Sequence, residues 1–439
     1  MKVCMFVKNT FQYDARVSRE ALTLVGAGHE VTVIAIHDRT TTEAHEVRDD
    51  GIEVFRVPRT RLGVEITNDS RRRIKEHIWA RNEYFAHGGP NGTPIEKTTR
   101  DKLVTIGLKV ARFAVKKGWK LARRAVRVQK GRASQTAAIN RRMIARGLET
   151  GADVFHSHDL NTLFVGRICK ERTPGSKLVY DSHELQTERS RMGGNWRRWA
   201  TWNERQGLPA ADALIVASPS WIEFNRQLHG EVPALTATVL NTPVHRTVEP
   251  RDLRGELGIP DDVPILLYQG SIQENRGIEP AIEATMLLDD AVLVVVGYGY
   301  HRPALERMVA ERGIGDRVKF FGPIPHEELL AWTAAADIGL ANIISASHSY
   351  HTSLPNKLFE YMMAGIAVIG SDSPEIGRVI RETGVGEVAR ADDPESIAAA
   401  AKKILTDPTP YIEATIPAAN KYQWSVDAQK LLNLYQSLR

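Results

Sequence analysis

The sequence predicts an α/β protein of two doubly wound parallel sheets, and three observations point there. Residues 3–7 are an apolar run, a helical apolar stripe follows, and residues 30–36 are apolar again. Strand, helix and strand at this spacing form a right-handed parallel unit. The same design restarts at residues 264–271, beyond a break marked by Pro243 and Pro250. The third observation is size. At 439 residues, 42% hydrophobic and 25% charged, the chain fills two cores and has the balance of an ordinary soluble protein.

Taken in order, residues 3–7 read as a buried strand and 8–14 as a polar loop, with Asp14 as helix cap. Val17, Ala21, Leu22, Leu24 and Val25 make the stripe, which Gly26 and Gly28 end. Residues 30–36 and 52–57 are the next strands. Ligands bind beyond the carboxyl ends of strands in such sheets, so the 8–14 loop, with Asn9, Asp14 and Arg16, belongs at a cleft.

Residues 58–100 carry little pattern. From Lys97 to Arg146 there are sixteen Lys or Arg and one acid, Asp101. Val104, Leu108, Ala111, Val115, Trp119, Ala122 and Val126 align on a helical wheel, flanked by Lys109, Arg112, Lys116, Lys120, Arg123 and Arg127. One reading is an amphipathic helix lying in an anionic membrane surface. The other is a helix packed by its apolar face, its basic face in water. Phe113 and Trp119 are too sparse for base stacking, so a nucleic-acid partner is not expected.

Residues 153–159 and 178–184 are two strands ending in His, Asp and Glu, and 213–217 is a further one. His156, His158 and His183 invite a zinc reading. Against it, no ligand sits at a zinc-motif spacing, and the first strand is expected to end between His156 and His158. Residues 239–243 close the first domain. The second opens with a strand and the loop Gly270-Ser271-Ile272-Gln273-Glu274-Asn275-Arg276-Gly277, whose glycines and cation suit a phosphate. A strand at 291–296 leads to Gly297 and Gly299, which suit either a phosphate or a turn, and a strand at 318–321 follows. Residues 334–340 lead into another strand, 348–352 are a polar loop, and a helix covers 393–405. The tail at 424–438 is amphipathic and is expected to cross back onto the first domain.

The most informative run is Ser353-Leu354-Pro355-Asn356-Lys357-Leu358-Phe359-Glu360-Tyr361-Met362-Met363-Ala364-Gly365. Pro355 suits the first helical position and Gly365 the left-handed position after the last. The open helix end, with Lys357 beside it, suits phosphate. Asn356 and Glu360 share a face, and Glu360, one turn deeper, suits a pair of ribose hydroxyls. A solvated helix–strand unit is the plain alternative.

Pro-Asn-Lys-Leu-Phe-Glu-Tyr-Met-x-Ala-Gly resembles the donor-site segment of the family-four retaining glycosyltransferases, which have the GT-B fold: two Rossmann-like domains facing across a cleft. Asp14-Ala15-Arg16-Val17 with Gly28-His29-Glu30-Val31 is similar to the opening of that family. The resemblance covers nearly the whole chain and is weakest over 58–150.

It implies an acceptor domain at 1–242, a nucleotide-sugar domain at 243–415 and a crossing helix at 416–439. It also implies a catalytic trio of His158, Arg276 and Glu360. Gly270, Ser271, Arg276, Gly297, Gly299, Pro355, Asn356, Lys357, Leu358 and Glu360 would hold the donor. Asn9, Asp14, Arg16, Asp181, His183 and Glu184 would face the acceptor. Two departures stand out. Thr352 occupies the position of the family's first Glu, and Ser271 that of one diphosphate cation.

The expected reaction is metal-independent, retaining transfer of a sugar from a nucleotide diphosphate to a hydroxyl, with no cofactor, in cell-surface polysaccharide or glycolipid assembly. The acceptor is lipid-linked or a small molecule. A sugar-nucleotide epimerase and a non-catalytic scaffold remain as alternatives. The N-terminus is too soon interrupted by Lys8 for a secretory signal, and no apolar run reaches eighteen residues. Cys4 and Cys169 read as core thiols. A cytoplasmic protein, peripheral on the inner face of the membrane, is expected.

Overall fold

Apolar runs of four to six residues between helical stripes can be buried only as strands covered on both faces, and such strands assemble in parallel. The computed structural model describes residues 1–38, 42–59, 132–188 and 194–439. In the first half, strands β1 (Lys2–Phe6), β2 (Glu30–His37), β3 (His45–Val47), β4 (Glu53–Pro58), β5 (Val154–His158), β6 (Lys177–Ser182), β7 (Ala213–Val216) and β8 (Leu235–Thr238) form one sheet. Its order is β3-β4-β2-β1-β5-β6-β7-β8. Every pairing is parallel except β3 with β4. The chain moves outward from β1 to β2 and β4, then returns past β1 to β5. The ends of β1 and β5 therefore flank the switch point, where side chains converge on a crevice.

In the second half, β9 (Ile265–Gln269), β10 (Val292–Val296), β11 (Val318–Phe321), β12 (Ile338–Ala341), β13 (Ala367–Ser371) and β14 (Gly386–Ala389) form a wholly parallel sheet. The order is β11-β10-β9-β12-β13-β14, so its switch point lies between β9 and β12. Each sheet carries an apolar layer on both faces. Val3, Met5 and Val33 face one layer of the first sheet, and Cys4, Phe6 and Ile34 the other. Both cysteines are buried free thiols.

The helix Trp424–Ser437 contributes Trp424, Leu431, Leu434 and Tyr435 to the first of those layers. Its Trp424 Nε1 donates to Thr23 Oγ1 at 3.0 Å. Helix Thr409–Lys421 runs through residue 415, packs on helix Asn356–Ala364, and leaves the turn back to the first half at Tyr422. GT-B architecture is thus the fold of the chain.

Several local expectations need correction. The strand does not end between His156 and His158. β5 runs through both, because it pairs with β6 as far as His158 with Asp181. Residues 348–352 are not a loop: Ser347 caps a short helix, His348–His351, by accepting from the Tyr350 N–H. Pro355 lies one position before the helix, at its N-cap. β3 and β8 carry too little apolar pattern to be read from the sequence.

The stripe Val104–Val126 lies outside the described residues, as do residues 97–131. Residues 132–146 belong to helix Arg132–Glu149, which packs against helix Leu160–Arg172. There Met143 is buried while Arg141 and Arg146 are exposed, so this stretch packs with its basic face outward. No helix among the described residues is long and apolar enough to cross a membrane.

Candidate functional site

The carboxyl ends of the two sheets face one another across a cavity of about 1170 Å³. From the first half Asn9, Asp14, Arg16, His183 and Glu184 line it. Arg276, Pro355, Asn356 and Glu360 line it from the second. Nine residues singled out in the sequence thus meet, though they span more than 350 positions of chain.

The first-half wall is built on the end of β1 and the helix Ala15–Gly26. Asp14 caps that helix by accepting from the Val17 N–H at 3.1 Å, and Asn9 Nδ2 donates to its other oxygen at 2.6 Å. Behind them Arg16, 4% exposed, donates to both oxygens of Asp181, from Nη2 at 2.7 Å and Nε at 3.2 Å. Its Nη1 donates to the Val239 carbonyl at 2.8 Å. Burial alone would raise the pKa of Asp181, but the Arg16 guanidinium, and then His183, override it and hold the carboxyl well below its usual range.

Asp181 Oδ2 also meets His183 Nε2 at 2.7 Å and His158 Nδ1 at 3.1 Å. Burial pulls His183 down, yet Asp181 and then Asp159 outweigh it and lift the imidazole to about 9. His183 is therefore a cation facing the cavity. His158 is different. Burial lowers its pKa against the pull of Asp181, and it is 1% exposed, behind the wall rather than on it.

The second-half wall is the opening of helix Asn356–Ala364, with Gly365 left-handed at φ 76° just past its end. Glu360 accepts from Gln269 Nε2 at 2.6 Å, and Gln269 Oε1 accepts from Thr333 Oγ1 at 2.7 Å, which orients the carboxylate. Arg276 stacks on Tyr350, 4.8 Å from the ring centroid, and its Nε is buried without a hydrogen-bond partner. Lys357 is equally unsatisfied. Its Nζ lies 3.4 Å from the Tyr268 ring centroid, under Gly270, with no hydrogen-bond partner. Burial, and then Arg276, depress its pKa far below the usual lysine value, with Glu360 opposing.

Other donor-side expectations resolve differently. Leu358 is a core side chain, and its N–H donates to the Pro355 carbonyl at 3.1 Å. Gly297 and Gly299 are present for close backbone approach, since a Cβ would fall 2.0 Å from the Gly270 carbonyl oxygen and 1.9 Å from that of Ile272. Ser271 is exposed, and its carbonyl accepts from the Tyr268 hydroxyl at 2.8 Å. Thr352 is turned away from the cavity into a joint between the halves. Its Oγ1 accepts from Trp221 Nε1 at 2.9 Å and its carbonyl from Ser218 Oγ at 2.8 Å.

Glu20, His156, His158 and Asp181 each bring a ligand atom within 4.8 Å of the others, a donor set suited to zinc. Arg16 already lies against both carboxylates, with Nε 3.0 Å from Glu20 Oε1. Both oxygens of Asp181 already accept hydrogen bonds. A metal here would add charge to a group that holds a cation.

Sequence reasoning missed Arg19, Glu20, Gln269 and Trp221. Glu20 had a signal: it stands four residues from both Arg16 and Leu24, a charge inside a buried helical stripe. Arg19 pairs with Asn241 Oδ1 at the cleft, and burial, then Arg16, lower its pKa to about 10, with Glu360 opposing.

Two family models match the chain. One, described as glycosyl transferases group 1, matches residues 250–423, and a glycosyl transferase 4-like domain model matches 80–242. The D-inositol 3-phosphate glycosyltransferase of Streptosporangium roseum is 26% identical over 306 residues, covering 64% of this chain and 69% of that protein. Among solved structures, sucrose-phosphate synthase from Thermosynechococcus elongatus aligns with a TM-score of 0.72 at 18% identity, over 100% of this chain and 99% of that one. HepE of Anabaena, in complex with UDP-glucose, aligns at 0.66 and 14% identity over 100% of both chains.

Proposed function

Because the chain belongs to the family of glycosyl transferases group 1, we propose that it moves a sugar from a nucleotide-diphosphate donor to an acceptor hydroxyl, with retention at the anomeric carbon. One observation carries this reading. Arg276 lines the cavity with a buried Nε that has no hydrogen-bond partner, and Lys357, in the first turn of the nine-residue helix that opens there, has a buried Nζ equally without one. A diphosphate supplies what they lack, and the helix end adds its N–H groups and dipole. Glu360, one turn in and oriented by Gln269, accepts from the ribose hydroxyls.

In the reaction the bond from the anomeric carbon to the diphosphate oxygen breaks, and a bond to the acceptor oxygen forms on the same face. The acceptor proton passes to the departing phosphate. Negative charge builds on the diphosphate, so Arg276, Lys357 and the helix opening stabilise the transition state more than the ground state. With that charge met by the chain, no divalent ion or cofactor is required. His158 lies behind Asp181 and His183 and serves the sugar through that wall, its Nδ1 toward Asp181 Oδ2. Asn9, Asp14, His183 and Glu184 offer the polar contacts that a hydroxylated acceptor needs.

A panel of UDP- and GDP-sugars, scored by release of the nucleoside diphosphate in the presence of chelator, tests the reading. Release from at least one member is expected. Glu360→Ala should raise the donor KM about tenfold or more, and His158→Ala should lower kcat with donor KM little changed. Parent protein that cleaves none of them, or only with added metal, overturns it. For the acceptor we propose a lipid-linked saccharide held at an anionic surface by the basic run 97–146, with a small polar molecule as the second class. Neutralising Lys116, Lys120 and Arg123 should then weaken pelleting with phosphatidylserine vesicles in a salt-dependent way. Equal pelleting of variant and parent would assign the small-molecule class.

A further inference from the structure

Behind the cavity wall lies a row of buried polar groups, and to two of them, Tyr435 and His156, the transfer reaction gives no task. Tyr435, near the end of the chain, is 1% exposed, and its hydroxyl lies 2.9 Å from His156 Nδ1. His156 is stacked on His158, with 4.3 Å between ring centroids and 19° between planes. The two histidines are two apart on β5, so the pleat puts both on one face. On its other edge His156 Nε2 has no hydrogen-bond partner and lies 3.7 Å from Glu20 Oε2. From His158 the row continues through Asp181 Oδ2 to His183 at the cavity.

Packing alone does not ask for a hydroxyl at this place. The ring of Tyr435 belongs to an apolar layer with Val33, Val154, Leu431 and Leu434, and meets His29 edge-on at 5.6 Å between centroids. A phenylalanine would fill the same volume without a polar atom to satisfy. What the hydroxyl adds is a fixed hydrogen-bond partner for His156 Nδ1, able to donate or accept, which sets how the ring is turned. The stacked ring of His158 can then keep its Nδ1 toward Asp181.

We propose that Tyr435 and His156 are positioning residues, through which the C-terminal helix holds the His158–Asp181–His183 row in register. The inference rests on the transferase reading for the role of His158, but the ring geometry it asserts is independent of activity. Neither residue touches the cavity; both act through His158.

The test compares Tyr435→Phe with Leu434→Ala, which loosens the same helix without touching His156. For cleavage of UDP-glucose, or of whichever panel member the parent cleaves, Tyr435→Phe should lower kcat about fivefold or more with donor KM within about twofold. Long-range nitrogen NMR of the imidazoles should show His156 and His158 changing tautomer or exchange in Tyr435→Phe and not in Leu434→Ala. Leu434→Ala should lower the melting temperature further yet keep the parent kcat per folded molecule. Parent kcat and parent imidazole signals in Tyr435→Phe would overturn the proposal. So would losses in both variants that merely follow the folded fraction, or stoichiometric zinc in the purified parent, which would make the row a metal shell. A parent that cleaves no sugar nucleotide sinks the transferase reading instead, and the NMR comparison still decides this one.

Discussion

His183 ties charge to stability at the scale of a single residue. Its folded pKa of about 9 lies above the ordinary 6.5, so its protonated form stabilises the fold. That contribution is fully present below about pH 6.5 and is lost as the pH rises through about 9. The groups facing it are Asp181 two positions back on β6, His158 at the end of the neighbouring β5, Asp159 just after β5, and Arg16 and Glu20 on the first helix. Melting temperatures measured from about pH 6 to about pH 10 should therefore fall, and His183→Gln should flatten that slope. An unchanged slope would mean that Asp181 does not hold the proton on this ring. Lys357 gives the opposite kind of prediction. A buried amine with no hydrogen-bond partner, its charged form disfavoured by burial and Arg276, costs stability, so Lys357→Met should leave the free protein as stable or more so. It should also weaken UDP binding by about tenfold or more, as expected for a lost charged hydrogen bond of about 1.5–3 kcal/mol. Melting curves with and without UDP read both effects.

At the scale of elements, loops after strands are placed by backbone contact as much as by side chains. Gly297, at φ 135°, lets the loop after β10 lie against the loop after β9, where the Gly270 carbonyl oxygen would be 2.0 Å from any Cβ. Gly297→Ala would have to push backbone against backbone. It should cost about 1–3 kcal/mol of stability and shift the 270–277 loop, lowering affinity for UDP more than any surface alanine in that half. Denaturant melts and calorimetric titration check this. The helix Asn356–Ala364 shows how far local signals reach. Its start beside Pro355, its stop at Gly365 and the inward face of Glu360 were legible in the sequence, because caps and helical period are local properties. That Leu358 uses its N–H on Pro355, and that Lys357 folds under Gly270, depend on packing from other strands. No local pattern encodes them.

For the whole molecule the question is how two sheets are held across the cleft. Part of the answer is the joint at Thr352, where Trp221 and Ser218 of the first half reach the second, with the Ser220 N–H donating to Glu375 Oε1 at 3.2 Å. Thr352→Val keeps the shape but leaves the buried Trp221 indole N–H without its acceptor, a loss of about 1–3 kcal/mol. If the joint holds the halves at this separation, small-angle scattering should show a larger radius of gyration for the variant, and UDP should restore the parent value. Parent-like scattering without ligand would assign the joint to stability alone. The second anchor is the C-terminal helix, which seals the first sheet with Trp424 and Leu431 and carries Tyr435 toward the histidine row.

Strand and helix periods, a handful of caps and the run around Glu360 were enough to read the fold class, the two-sheet order of events along the chain and nine of the residues that line the cavity. These follow from hydrophobic patterning and from turn chemistry, which act between near neighbours. Only the folded molecule decided that β5 carries both His156 and His158 on one face, that Thr352 joins the halves, and that Glu20, Arg16 and Asp181 share a buried site. Those outcomes come from contacts between residues 23 to 165 positions apart, whose geometry is set by sheet register and packing and not by any spacing along the chain.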